Sequence, residues 1–210
     1  MIDLYTWGTP NGRKVSVMLE ELGLAYNVHE VDIRKGDQHK PEFLEISPNN
    51  KIPGIVDSDG PGGEAIKMFE TGAILIYLAE KTGSGLYPKD PRERAVTLQW
   101  LMWQMGGVGP MFGQAHHFMF NPSEDVPYGR ERYHKETKRL YKVMNTRLGE
   151  TRYLAGDAYT IADIATYPWV ARKNRHQVDL DEFPNVKRWF DELSARPAVE
   201  KGMAVPFYNE

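Results

Sequence analysis

The sequence contains no cysteine. Disulfide staples, thiolate metal sites and cysteine nucleophiles are therefore excluded, and any thiol chemistry has to borrow its sulfur from a ligand. A strong charge bias is also missing, since the formal net charge is only −3. No broad basic field is available to attract nucleic acid or an anionic membrane, so neither is expected as a partner. Long hydrophobic runs are lacking too: the longest, around Ala73 to Ala79, is far too short to cross a bilayer. Met1-Ile2-Asp3-Leu4-Tyr5 shows no basic segment leading into an apolar one. The expectation is a soluble, cytoplasmic protein. Internal repeats and low-complexity tracts are absent.

The 210 residues that are present suffice for one large or two small domains, each with its own core. Ile2 to Tyr5 alternates and predicts a first strand. Thr9-Pro10-Asn11-Gly12 reads as a turn. Val15, Met18, Leu19 and Leu22 then recur at helical spacing, and Gly23 stands where a C-terminal cap belongs. Tyr26 to Val31 alternates again, which completes a βαβ unit with parallel pairing. Pro41 to Ile46 suits a short helix. A third strand is predicted over Ile52 to Val56, interrupted by Pro53. Asp57 to Gly63 is a turn, and Ala65 to Phe69 returns as a fourth strand antiparallel to the third. Thr71 to Lys81 is a helix with Ile74, Leu75 and Leu78 on one face. A βαβ unit followed by ββα predicts a thioredoxin-like α/β domain over residues 1–83. Gly83 to Pro91, with several Gly and Pro, holds the linker, placed at 84–91. From Arg92 onward strand signals vanish and helical spacing persists, so residues 92–210 are expected to form an all-helical domain.

Four local features bear on chemistry. Pro53 in a predicted strand is either an edge proline or a cis proline that leaves the Ile52 backbone free for an extended peptide ligand. Phe69-Glu70-Thr71-Gly72 lies at a strand-to-helix junction. Thr71 there is read as a helix cap, beside N–H groups able to hold a carboxylate and a Glu70 able to pair with an ammonium group. An α-amino acid head carries both charges, although an ordinary capping sequence reads the same way. Thr9 and Asn11 at the start of the first helix supply donors for a thiolate, or only a helix cap. Lowering a thiol pKa from about 8.5 by one to two takes about 1.4–2.8 kcal/mol, within reach of two or three donors and a helix N-terminus. Thr160 with Asp163 forms a capping box and is structural.

Other patterns carry less. Gly107-Val108-Gly109 through Gly113 lacks the preceding strand of a nucleotide loop, so a kinked or broken helix is expected. His116-His117 point about 100° apart on a helix with no carboxylate completing a ligand set, so no metal is expected. Arg130, Arg132, Lys135, Lys138 and Arg139 form a solvated helix face from which one member can reach an anionic ligand.

In this order and company the segments Ser47–Pro53, Phe69–Leu78, Thr160–Ala165 and Phe183–Pro197 carry a family resemblance. The sequence resembles cytosolic glutathione transferases over essentially its whole length. Thr9-Pro10-Asn11-Gly12, Ser47-Pro48-Asn49-Asn50-Lys51-Ile52-Pro53, Leu98-Gln99-Trp100-Leu101, Gly106-Gly107 and Gly109-Pro110-Met111 are similar to the nu class. That class includes bacterial glutathione-dependent disulfide-bond oxidoreductases and lies close to fungal Ure-type nitrogen regulators. The resemblance implies a thioredoxin-like domain followed by a helical bundle, with glutathione as co-substrate and no metal. By position, Pro53 matches the family's cis-proline and Ile52 the backbone partner of the glutathione cysteine. Glu70 and Thr71 match the pair that grips the γ-glutamyl head, and Gln38 and Lys51 positions near the glycine end. Thr9 and Asn11 match the sulfur-side residues. Arg132 matches an arginine that reaches the neighbouring subunit's γ-glutamyl group, which implies a homodimer. Tyr5 lies within the strand rather than at the turn, which speaks against a catalytic tyrosine, and cysteine catalysis is impossible here.

The activity implied is glutathione-dependent disulfide reduction, with a disulfide or an electrophile as second substrate. Conjugation to electrophiles or organic peroxide reduction is the alternative, and a non-catalytic glutathione-binding regulator a further one. Such regulators often carry an added prion-like segment, and this sequence has none.

Overall fold

The computed structural model describes residues 1–120 and 122–206; Asn121 and 207–210 of the expected helical domain lie outside the described residues. The chain divides into two compact units. One is Met1–Ser84 together with the segment from Arg196 onward, and the other is Gly85–Ala195.

The first unit is built on four strands: β1 (Ile2–Thr6), β2 (Tyr26–Glu30), β3 (Gly54–Asp57) and β4 (Ile66–Phe69). Their order is β2-β1-β3-β4, with β1 parallel to β2 and both other pairs antiparallel. The parallel pair follows from the intervening helix α1 (Pro10–Glu21), which carries the chain back to the end where β1 began. Val15, Met18 and Leu19 on α1 are buried, as are Ile74, Leu75 and Leu78 on α3 (Thr71–Thr82) and Leu4 and Ile55 on the sheet. Gly23 ends α1 as expected, at φ 62° with its N–H bonded to Glu20 O and the Leu24 N–H bonded to Leu19 O. A short helix α2 (Pro41–Leu44) precedes β3.

Two features differ from expectation. Strand β3 begins at Gly54, after Pro53 and not around it, because a proline has no N–H to give to the ladder. The last helix also departs from the predicted division. Helix α9 (Pro197–Met203; the five between are given below) belongs to the first unit, where it packs on α1. Gly202 sits so close to Val17 that a Cβ would collide with the Val17 backbone. Ser16 donates its hydroxyl to the Gly202 carbonyl at 2.7 Å, and Arg196 forks onto the Glu21 carboxylate with two contacts of 2.7 Å. Local helical periodicity cannot reveal such a return, since it says which face is apolar but not what covers it.

Among its described residues the second unit carries helices joined by loops and no strand; its α-helices are α4 (Pro91–Trp103), α5 (Gly109–Met119), α6 (Pro127–Glu150), α7 (Ile161–Val170) and α8 (Pro184–Ser194). The expected irregularity near Gly107 is a π-helical stretch, Gln104–Val108, between α4 and α5. Leu101, Phe112, Leu140, Tyr141, Met144 and Trp189 form much of the core. Thr160 and Asp163 make the expected capping box on α7.

Among the described residues no cluster of His, Cys, Asp or Glu is placed to hold a metal ion. The His116 ring instead stacks on the buried His176, centroids 4.5 Å apart, and His176 Nδ1 lies 3.3 Å from the Tyr141 hydroxyl. Burial, then the neighbouring His116 and Arg172, push the His176 pKa down to about 2. The folded chain thus keeps this imidazole neutral while the unfolded chain protonates it below about 6.5. Stability from this group is complete above that pH and is lost as pH falls, by about 2 kcal/mol at pH 5. We expect His176→Gln to remove about one proton from the acid slope of unfolding free energy between pH 6.5 and 5. Urea titrations across that range measure the slope; an unchanged one would show that His176 does not set it.

Candidate functional site

Strand register decides which loops meet. Tyr5 on β1 pairs with Gly54 on β3, and Gly54 pairs with Phe69 on β4. Thr6 pairs with Glu30 at the end of β2. The exits of β1, β2 and β4 and the entry to β3 therefore lie at one end of the sheet. Thr9 and Asn11 follow β1, Gln38 follows β2, Lys51 to Pro53 lead into β3, and Glu70 and Thr71 follow β4. Eight of the nine candidate residues, scattered over some sixty positions of sequence, emerge at this end. Arg132 does not: it lies exposed on α6 in the second unit, in a surface cleft of about 1120 Å³ shared with Tyr128 and Lys135.

The segment from Thr9 is a helix start rather than a separate turn. Thr9 is the N-cap of α1 with φ −98° and ψ 162°, and its Oγ1 accepts the Gly12 N–H at 3.2 Å. Pro10 occupies the first helical position, where a missing N–H costs nothing. Gly12 lies against β1, where a Cβ would collide with the Trp7 carbonyl and the Thr6 hydroxyl. This contact presses the helix start onto the sheet end and leaves Asn11, half-buried, in the first turn. The capping alternative for Thr9 thus holds, although its hydroxyl proton still has to be donated elsewhere.

The loop before β3 is shaped by its own polar groups. Ser47 donates its hydroxyl to the Lys51 carbonyl at 2.8 Å, and the Asn50 N–H bonds the Ser47 carbonyl at 2.9 Å. Asn50 adopts φ 49°, a left-handed conformation that Asn tolerates better than most residues. The Ile52–Pro53 bond is cis, which selects between the two readings of Pro53. Among the described residues, neither the N–H nor the C=O of Ile52 takes a hydrogen-bond partner. Lys51 is exposed. Gln38 holds its Oε1 buried without a hydrogen-bond partner, while its Nε2 lies 3.2 Å from His39 Nε2.

At the end of β4 the expected cap moves by one residue. Glu70, not Thr71, is the N-cap of α3, and its side chain makes no capping bond. Its backbone sits at φ 69° and ψ 108°, outside the regions open to a residue with a Cβ. Thr71 is the first helical residue and is buried. The N–H groups of Gly72 and Ala73 take no partner among the described residues, so this helix start is open to an anion.

The structure adds a residue that sequence reasoning passed over. Lys14 on α1 is buried, and its Nζ donates to the Thr71 hydroxyl at 3.3 Å. Burial pushes its pKa down to about 7, against the attraction of Glu70. The signal was available in principle, because Lys14 shares the apolar stripe of Val15, Met18 and Leu19, where a solvated lysine does not belong.

Two matched families account for both units. Residues 9–81 match "Glutathione S-transferase, N-terminal domain" and residues 110–197 match "Glutathione S-transferase, C-terminal domain". Disulfide-bond oxidoreductase YfcG of Escherichia coli (strain K12) is 53% identical over 204 residues, covering 97% of this chain and 94% of that protein. The chain belongs to the glutathione S-transferase family. Among solved structures of that family, a glutathione transferase from Pseudomonas putida with one glutathione disulfide bound per subunit superposes with a TM-score of 0.93 at 47% identity. The match covers 98% of this chain and 91% of that one. A glutathione transferase from Burkholderia graminis with two glutathione molecules bound per subunit also gives 0.93, at 46% identity, covering 99% and 89%. The mixed four-stranded sheet followed by a helical unit is thus the glutathione transferase fold. Among the described residues no helix is long and apolar enough to cross a membrane.

Proposed function

We propose that this glutathione transferase family member is a glutathione-dependent disulfide-bond reductase of the nu class, and that the sheet end described above is its glutathione site. The observation that carries the reading is Ile52: an unpaired backbone N–H and C=O at a sheet end, ready to bond an extended peptide as a neighbouring strand would. The open start of α3 takes the α-carboxylate of the γ-glutamyl group, and Glu70 takes its ammonium. Gln38 and Lys51 receive the glycine carboxylate. That leaves the cysteine sulfur at the start of α1, where Thr9 and Asn11 donate hydrogen bonds to the thiolate. Related structures binding two glutathione molecules or one glutathione disulfide favour disulfide exchange over conjugation or peroxide reduction.

The chemistry needs no side-chain redox group. The bound thiolate attacks one sulfur of a disulfide, forming a mixed disulfide and releasing the other half as a thiol. A second glutathione then attacks as thiolate, giving glutathione disulfide and the second thiol. The protein's part is to bind, orient and ionise. The working unit in this reading is a cytoplasmic homodimer in which Arg132 reaches the γ-glutamyl group held by the other protomer.

Calorimetry with reduced and oxidised glutathione tests the site, and no heat of binding at millimolar ligand would end the proposal. Turnover on a small disulfide, a chloronitroaromatic and a hydroperoxide, compared side by side, ranks the three activities. We expect Asn11→Ala to lower disulfide turnover about tenfold, the equivalent of one charge-assisted hydrogen bond of about 1.4 kcal/mol. Unchanged turnover would remove Asn11 from the mechanism.

A further inference from the structure

Helix α6 carries a file of cations that its own stability does not explain. Arg132, Lys135, Arg139 and Lys142 follow one another at spacings of three, four and three residues, so they stand on one face, and all four are exposed. At 1.5 Å per residue the file is about 15 Å long. Like charges at these spacings repel and weaken a helix. The file also ends before the last turn of α6, where the helix dipole favours cations.

Elsewhere the same helix neutralises its cations. Arg130 pairs with Asp125 at 2.7 Å, Lys138 with Glu182 at 2.9 Å, and Arg139, within the file, forks onto Glu136. Among the described residues Arg132, Lys135 and Lys142 take no hydrogen bond or ion pair. Arg132 adds a through-space attraction for Glu136, whose carboxylate is already bonded to Arg139. All of them line the cleft of about 1120 Å³, where five lysine and arginine side chains stand against two glutamates, Glu131 and Glu136. In a chain of net charge −3 this is a local positive excess. A concave site lined by one sign of charge concentrates ligands of the other.

In the reading given above Arg132 already has a ligand, the γ-glutamyl group held by the other protomer. Lys135 stands about one turn further along the same face, and Lys142 about two turns beyond that. We propose that the second substrate is a disulfide carrying carboxylate groups, and that Lys135, backed by Lys142, is the specificity-determining cation that receives them from the cleft of the neighbouring protomer. This rests on the disulfide-reductase reading above. The exchange itself is unchanged, and the lysine neither moves a proton nor forms a covalent bond. Its charge offsets the repulsion between a bound glutathione thiolate and an incoming anionic disulfide.

The test is turnover of the full chain and of its Lys135→Gln and Lys135→Glu variants on three disulfides: the dianion dithiodipropionate, neutral hydroxyethyl disulfide and the dication cystamine. Each kcat/KM, taken at saturating glutathione, is divided by the uncatalysed rate constant of the same disulfide with glutathione, which removes differences in intrinsic reactivity. Wild type should rank the dianion first and the dication last. Lys135→Gln should lower the value for the dianion about fivefold, the effect of one unit charge about 4 Å away in water, and leave the neutral disulfide within about twofold. Lys135→Glu should lower the dianion further and raise cystamine. Raising the ionic strength from about 0.05 to about 0.5 M should shrink the advantage of the dianion and spare the neutral disulfide. Lys135 is exposed and unbonded, so neither variant puts the fold at stake. A wild type that ranks the disulfides without regard to charge, or variants that lose equally on all three, would overturn the proposal. No turnover on any of them, with glutathione still bound, would bring down the disulfide-reductase reading and this proposal with it.

Discussion

Asp163→Ala should destabilise the second unit by about 4 kcal/mol, the largest stability effect expected of a single substitution here. Asp163 accepts four hydrogen bonds: from the Leu154 N–H at 3.0 Å, the Thr160 N–H at 3.0 Å, the Thr160 hydroxyl at 3.2 Å and Trp189 Nε1 at 2.9 Å. Leu154, Thr160 and Trp189 are all buried. The Thr160 hydroxyl can turn, but the other three donors have no such freedom, and each buried donor left alone costs about 1–3 kcal/mol. Burial raises the Asp163 pKa to about 6 against the pull of these donors, so at pH 7.5 the acceptor is mainly ionised. Asp163→Asn should rescue little. One face of the carboxylate receives the Thr160 N–H and the other the Leu154 and Trp189 N–H groups, so an amide NH2 opposes a donor whichever way it lies. For a chain of this length about 4 kcal/mol corresponds to a melting point about 10 °C lower. Thermal unfolding of the three proteins at one protomer concentration measures it. A loss below about 1 kcal/mol for Asp163→Ala would mean that water or rearrangement satisfies the three donors.

The pair Thr160 and Asp163 was legible from sequence because a capping box is a local device: both partners lie within one helical turn, at a fixed spacing. The strands and helices of the first unit were legible for the same reason, being set by alternation and helical periodicity over a few residues. The site was only half legible in this way. Residues at Thr9, Ile52 and Glu70 stood out singly, each with an ordinary structural explanation, and the family resemblance joined them. What joins them physically is strand order, which puts Tyr5, Gly54 and Phe69 side by side; periodicity names strands but not their neighbours. The misplaced cap at Thr71 has a different origin. Thr is a common N-cap and Glu is not, so propensity chose Thr71, whereas the chain places a strained glutamate there and keeps the helix start open. Lys14 and α9 were missed because both depend on what packs against α1, a tertiary fact. Site roles for Gln38, Lys51 and Arg132 still rest on resemblance, with geometry adding only the buried, partnerless Oε1 of Gln38.

The strained cap leads to the largest functional effect expected, and to one that runs opposite to stability. Glu70→Gly should raise the dissociation constant for glutathione about a hundredfold while leaving the protein more stable. The backbone at φ 69° and ψ 108° costs a residue with a Cβ about 1–3 kcal/mol, and glycine relieves it. Greater freedom of the unfolded glycine chain returns about 0.5–1 kcal/mol, so a gain of about 1 kcal/mol remains. The substitution also removes the carboxylate that attracts Lys14. That loss counts only while Lys14 is charged, and with its pKa pushed to about 7 it is mostly neutral at pH 8.5. At that pH the melting point should rise by about 2–4 °C. In the proposed site Glu70 pairs with the γ-glutamyl ammonium, so affinity should fall when that carboxylate is removed; truncating one member of such a pair costs about 2–5 kcal/mol. Calorimetry and thermal unfolding at pH 8.5 give both numbers from one preparation. Unchanged affinity would remove Glu70 from the glutathione site. A lower melting point with weaker binding would mean that the contacts of the glutamate, not its backbone, decide the stability of this turn. If both shifts appear as expected, the capping side chain that α3 lacks has a reason. A serine or aspartate at position 70 would satisfy the Gly72 and Ala73 N–H groups and relax the turn, and in doing so would occupy the place where the ligand's carboxylate has to bind.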